Sequence, residues 1–163
     1  FLARGDSGRN TLNKVKLDLN QMVSEVWEES QMIDEKHRYL FRGTDPAYMT
    51  GDIAMIKQSI RIFVQNAAKY SSDGADITLG VMLESGYVSY MIQDEGIGME
   101  SSDVVHIFER FYRSDEARNG ETGGSGLGLS IAKWIVDAHS GTIQVVSRPE
   151  IGTRFIVRFP MCE

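Results

Sequence analysis

Asn66, Lys69 and Tyr70 close the stretch IRIFVQNAAKY, residues 60 to 70, and each could meet a ligand. Ile60, Phe63, Val64 and Ala67 recur at three- and four-residue spacing, so the stretch reads as a helix with one apolar face. Asn66 and Lys69 are three apart and share a face beside that stripe. An Asn carbonyl is a hard oxygen ligand, suited to a Mg²⁺ that keeps waters and takes its other ligands from phosphates. Lys69 would add a point charge for a terminal phosphate. Taken alone, such a pair is more often a solvated helix end.

Three glycine-containing segments add to this chemistry. DEGIGM, 94 to 99, follows a predicted strand; Asp94 could accept a hydrogen bond from an exocyclic amine. Gly96 and Gly98 would let the backbone approach a flat ring, although a plain turn fits equally well. GGSGLGLSIAKWIV starts at Gly123 and runs into a patterned helix, so free N–H groups and a positive helix end converge there. That favours a phosphate site over a flexible linker. EIGTRF, 150 to 155, reads as a hairpin turn unless the other segments define a pocket. Arg110, Arg113 and Arg118 precede the glycine loop; one of them on a lid could neutralise a transferring phosphoryl group.

These residues need elements to position them. VKLDL suggests a short edge strand, and Met22, Val23, Val26, Trp27 and Ile33 a helix from Leu19 to about Lys36. RYLF is a strand candidate, and Asp52 can cap the helix that ends at Tyr70. ADITLGVMLES and YVSYMIQDE, joined through Gly86, predict one hairpin; TIQVVS and TRFIVRFP predict a second. Between them a helix runs from about Leu127 to His139, closed by Gly141. Segregated hairpins and helices predict an α+β fold, a mixed, mostly antiparallel sheet with helices on one face. No GxxxxGK[ST] and no dinucleotide glycine trio occurs.

At 163 residues the chain fits one domain, with no apolar run near the ~20 residues of a membrane span. Its net charge of −6 disfavours nucleic acid as a partner but not a nucleotide. The lone Cys162 excludes an internal disulfide and suggests a reducing compartment. Phe1 and the following LARGDSG read as a cut into a longer chain.

In this order the segments resemble the catalytic, ATP-binding domain of bacterial sensor histidine kinases, within the gyrase–chaperone–kinase–MutL (GHKL) ATPase superfamily. QNAAKYS looks like the N box, DEGIGM the G1 box, IFERFYR the F box, GGSGLGLSIAK the G2 box and EIGTRF the G3 turn. The resemblance implies a Bergerat-type two-layer α/β sandwich over 13–163, preceded in 1–12 by the end of a dimerisation helix and a linker. It implies ATP and Mg²⁺ as cofactors. Asn66 would coordinate the metal, and Lys69 and Tyr70 would approach the phosphates and nucleotide edge. Asp94 would accept from the adenine amino group, with Gly96 and Gly98 against the ring and Thr153 supporting Asp94 through water. Gly124, Ser125, Gly126, Leu127 and Gly128 would supply phosphate contacts, and Arg113 would steer the γ-phosphate. Phe108 and Phe111 would be plugs that set the lid.

The implied reaction is γ-phosphoryl transfer to a histidine in an upstream dimerisation domain, since His37, His106 and His139 all lack the acceptor context. The resemblance further implies a response regulator receiver domain as a partner and a homodimeric full-length protein, this stretch alone being monomeric. It also implies a cytoplasmic location on a membrane-bound sensor. Four positions before Asn66 relatives usually carry a polar residue, Asn in kinases and Glu in hydrolases; here it is Ile62. Ile cannot orient a water, which disfavours a hydrolytic ATPase and leaves a nucleotide-binding regulatory module with weak or no catalysis as the alternative. On this reading, Ile62→Asn is expected to strengthen Mg–ATP binding.

Overall fold

Two aspartates start the two long helices. Asp18 Oδ1 accepts from the Asn20 amide at 3.0 Å and from the Ala47 amide at 2.9 Å. It thus caps α1 (Leu19–Ile33) and ties it to the run entering β3 (Tyr48–Gly51). Asp52 Oδ1 accepts from the Met55 amide at 3.1 Å and caps α2 (Ile53–Tyr70). This computed structural model describes residues 12–109 and 128–162. The remaining elements are β1 (Val15–Asp18), β2 (Arg38–Arg42), β4 (Asp76–Glu84), β5 (Tyr87–Asp94), the short α3 (Ser101–Val104), α4 (Gly128–Ala138), β6 (Thr142–Arg148) and β7 (Gly152–Pro160).

β2, β4, β5, β7 and β6 form a five-stranded sheet in that order, with β2 parallel to β4 and every other pair antiparallel. β1 and β3 make a separate antiparallel pair. The mixed, mostly antiparallel sheet is the one expected. β3 was not: its four residues follow a turn signal and gain their partner only through β1. α1 ends at Ile33, short of Lys36, where the Asp34 side chain instead accepts from Tyr39 and Lys36.

Alternation sorts the sheet. Ile77, Leu79 and Val81, with Val88, Tyr90 and Ile92, and Phe155, Val157 and Phe159, are buried under the helices. The other face carries Gln93 bonded to Arg154, and Glu84 paired with Arg158. α2 lays Ile56, Ile60, Phe63 and Ala67 on this core, at the spacing its sequence announces. Phe63 meets Phe155 at 4.7 Å between ring centroids, and Ser59 Oγ lies 2.8 Å from the buried Tyr90 hydroxyl. Burying a phenylalanine of this kind contributes about 2–3 kcal/mol, so these contacts fix how α2 lies on the sheet. α4 ends with Ser140, not Gly141, in the left-handed region (φ 57°), and the Gly141 amide donates to Val136 at 2.9 Å.

Candidate functional site

Strand pairing aligns one row of side chains across four strands. Ile77 pairs with Asp94, Asp94 with Thr153, and Thr153 with Ser147. Residues directly opposite one another share a face, so this row lies on the helix-covered side, at the end where β5 stops. The row is apolar at Ile77 and polar from Asp94 onward.

Asp94 is 6 % exposed. Its Oδ1 accepts the Gly96 amide at 2.8 Å and the Thr153 amide at 3.3 Å. Burial pushes its carboxyl above the usual range, and the two amides only partly counter this. Oδ2 makes no hydrogen bond to any described residue, so a buried carboxylate keeps one open acceptor. Thr153 supports Asp94 directly through its backbone amide, while its hydroxyl lies 2.8 Å from Ser147 Oγ.

The loop after Asp94 is strapped down on both sides. The Ile97 amide donates to the Tyr70 carbonyl at 3.2 Å, fastening the loop to the end of α2. The Glu150 amide donates to the Ile97 carbonyl at 2.6 Å, and the Met99 amide to Ser147 Oγ at 2.9 Å, fastening it to the β6–β7 hairpin. Gly98 has φ +67°, and a Cβ there would lie 1.8 Å from the Arg148 carbonyl oxygen. A Cβ on Gly96 would lie 2.3 Å from the Tyr70 oxygen. Both glycines are therefore required by the straps themselves, whatever ring they face.

Asn66 lies one turn before Tyr70 on α2, half-buried, and its carboxamide makes no hydrogen bond to another described residue. Ile62, one further turn back, is 7 % exposed. A Cβ on Gly128 would lie 3.6 Å from Ile62 Cγ2, so the first turn of α4 rests against Ile62. The isoleucine thus makes an apolar seat for the helix start. Lys69 borders a groove of about 350 Å³ between α1 and α2, alongside Asp34, His37 and Tyr39, and its ammonium lies 5.6 Å from the Tyr70 ring centre. Phe108 packs on the core, its ring centre 6.4 Å from that of Phe155. Arg110, Phe111, Arg113, Arg118, Gly124, Ser125, Gly126 and Leu127 lie outside the described residues, as do residues 1–11 of the expected segment 1–12.

Two histidines have structural tasks. His139 Nδ1 bonds the Ile135 carbonyl at 2.7 Å, and its Nε2 accepts the Asp52 amide at 3.1 Å, at the start of α2. Burial holds the His139 pKa below the ordinary value, which keeps that acceptor. His37 bonds Asp34 at 2.6 Å and the Ser71 carbonyl at 3.1 Å, at the other end of α2. Burial opposes its charge, but these bonds outweigh it and raise its pKa. His106 is exposed beside Glu109.

Ser147 is the residue that sequence reasoning passed over. It lies in none of the glycine segments, and a serine in an alternating strand gives no local signal of the row it joins.

Comparison with known proteins bears on what this arrangement does. Residues 51–163 match the family described as "Histidine kinase-, DNA gyrase B-, and HSP90-like ATPase". The chain is 38% identical over 143 residues to the sensor histidine kinase YkoH of Bacillus subtilis, covering 88% of this chain and 31% of that protein. It is 32% identical to the sensor-like histidine kinase SenX3 of Mycolicibacterium smegmatis, covering 88% of this chain and 38% of that protein. It therefore spans about a third of the length of these relatives. The fold matches a solved mycobacterial sensor histidine kinase MprB with a TM-score of 0.78, 24% identity and coverage of 90% of this chain and 97% of that one. The catalytic domain of histidine kinase ThkA matches with a TM-score of 0.79 at 24% identity, covering 91% and 96%.

Proposed function

The chain belongs to the family of histidine kinase-, DNA gyrase B- and HSP90-like ATPases, and from that premise we propose that it is the catalytic part of a two-component sensor histidine kinase. It would bind Mg–ATP and hand the γ-phosphoryl group to a histidine in the dimerisation domain of the same protein. The names of its relatives support this, as does the open acceptor of Asp94, the observation that carries the reading. A buried carboxylate with one oxygen engaged by two amides and the other open suits an exocyclic amine, and adenine offers one.

In the transfer, the lone pair of an imidazole nitrogen forms the N–P bond while the bond from the γ-phosphorus to the bridging oxygen breaks. ADP leaves with that electron pair, and the proton on the other ring nitrogen is released. The protein's task is placement and charge stabilisation. Asp94, Gly96, Gly98 and Thr153 would hold the purine; Lys69, Tyr70 and the stretch Gly124, Ser125, Gly126, Leu127 and Gly128 would hold the phosphates; Arg113 would meet the γ-phosphate. Asn66 fits a Mg²⁺ ligand because its carboxamide is open, and among the described residues no cluster of three or more His, Cys, Asp or Glu could cage the ion instead. A bound Mg²⁺ would offset phosphate charge there. His37 and His139 are occupied at both ring nitrogens, which supports an acceptor elsewhere in the protein.

A response regulator receiver domain would take the phosphoryl group next. The whole protein would be a homodimeric, membrane-bound sensor with this part in the cytoplasm. A second reading, a nucleotide-binding regulatory module with weak or no catalysis, draws on Ile62 alone. The deciding experiment is ATP-dependent phosphorylation of the added dimerisation domain. Wild type should label it and Asn66→Asp should not; a wild type that binds ATP without labelling would favour the regulatory module.

A further inference from the structure

Ser147 Oγ has one proton and three neighbours. The Met99 amide donates to it at 2.9 Å, the Gly152 carbonyl oxygen lies at 3.2 Å, and the Thr153 hydroxyl lies at 2.8 Å. An amide N–H can only donate and a carbonyl can only accept. All three bonds are made together only when the serine proton goes to Gly152, so the proton between the two hydroxyls belongs to Thr153. Thr153 Oγ1 is then left with lone pairs and no proton to offer. Beside it in the row stands Asp94, whose Oδ2 is also an open acceptor.

We infer that Ser147, by fixing the hydrogen-bond polarity of Thr153, turns the end of the row into two neighbouring acceptors that select a 6-amino purine over a 6-oxo purine. The inference rests on the ATP-binding reading above. A 6-amino group presents N–H donors to this pair. A 6-carbonyl presents lone pairs to two acceptors in a buried place and finds no partner, the kind of mismatch that discriminates strongly. Asp94 supplies the first acceptor unaided; Ser147 adds the second. Without the Ser147 hydroxyl, Thr153 is free to turn its proton toward the ligand and satisfy a carbonyl.

The role is that of a positioning residue, and its signature is a ratio of affinities. ATP and inosine triphosphate share their sugar and phosphates and differ at the purine 6-position and in the proton on N1. Both differences are the same for every variant, so the change in the ratio of calorimetric Kd values between wild type and variant isolates the effect of Ser147. Wild type should prefer ATP. Ser147→Ala should narrow the preference about five- to tenfold, chiefly through tighter inosine triphosphate binding, which is the scale of one neutral hydrogen bond. Ser147→Thr, which keeps a hydroxyl, should retain the wild-type ratio. An unchanged ratio in Ser147→Ala, or an equal loss of both affinities, would overturn the inference while leaving the ATP reading intact. Should Ser147→Ala fail to fold, Ser147→Cys preserves volume with a weaker hydrogen bond and should give an intermediate ratio; a wild-type ratio there also overturns it. A folded wild type that binds neither nucleotide would refute the ATP reading and this inference with it.

Discussion

Asp94→Asn separates binding from folding in a single atom exchange. The amide oxygen can take the place of Oδ1 and keep accepting from Gly96 and Thr153, because both partners are backbone amides. The amide nitrogen then replaces Oδ2, and an acceptor becomes a donor where the proposed reading puts the adenine amine. Losing a hydrogen bond to a charged acceptor costs about 2–3 kcal/mol, roughly thirty- to a hundred-and-fiftyfold in affinity. Stability should move the other way. Burial raises the Asp94 pKa, so the folded state binds its proton more tightly than the unfolded chain does. Ionised Asp94 therefore weakens folding at neutral pH, and this penalty grows as pH rises from the unfolded carboxyl value through the raised folded one. Asn carries no such penalty. Titration calorimetry with ATP and urea unfolding at pH 7 should show binding falling steeply while the unfolding midpoint holds or rises. Affinity within threefold of wild type, or a stability loss above about 1 kcal/mol, would refute this account of the carboxylate.

Ile62→Asn should lower stability by about 3 kcal/mol, because it removes a buried aliphatic seat under Gly128 and leaves an amide there. A urea midpoint equal to wild type would contradict that packing, and calorimetry on the same protein tests the expected gain in Mg–ATP affinity. Gly98→Ala should cost well over 1 kcal/mol and weaken ATP at least tenfold, since the new methyl meets the Arg148 carbonyl and displaces the strapped loop; unaltered binding would show that the loop tolerates a Cβ. His139, depressed by burial, contributes stability that is complete above the ordinary histidine value near 6.5 and is lost as pH falls toward its lower folded value. The acid-side loss in a urea-midpoint series should shrink in His139→Gln, whose amide can still accept from Asp52.

Wherever a signal is local, the sequence is readable. Asp52 is a cap because its side chain reaches three residues on, and α2 shows its buried face in the spacing of Ile56, Ile60, Phe63 and Ala67. Asp94 stands out by flanking glycines. Features that depend on distant partners are silent. β3 exists because residues near 16 lie opposite it, and Ser147 matters because pairing sets it beside Thr153. Ile62 invites a reading against the metal because it is four residues from Asn66 on one helix face. Helical spacing cannot say that α4 rests on it. Glu150 marks another limit: it adopts φ 65° in the β6–β7 turn, a conformation its residue type does not announce.

The order of strands has a consequence for how the protein is made. β7 follows every other described strand in the chain, yet it lies between β5 and β6, inside the sheet. While the chain emerges from the ribosome, β5 has an open edge, and Asp94 lacks the Thr153 amide until residues near 153 arrive. The same late segment delivers Phe155 to Phe63 and so seats α2. A nascent chain that ends before β7 therefore holds Asp94 by the Gly96 amide alone and seats α2 without its Phe155 contact. Such non-local closure is slow compared with helix formation, so nucleotide competence should arrive as the last event of folding rather than grow with chain length.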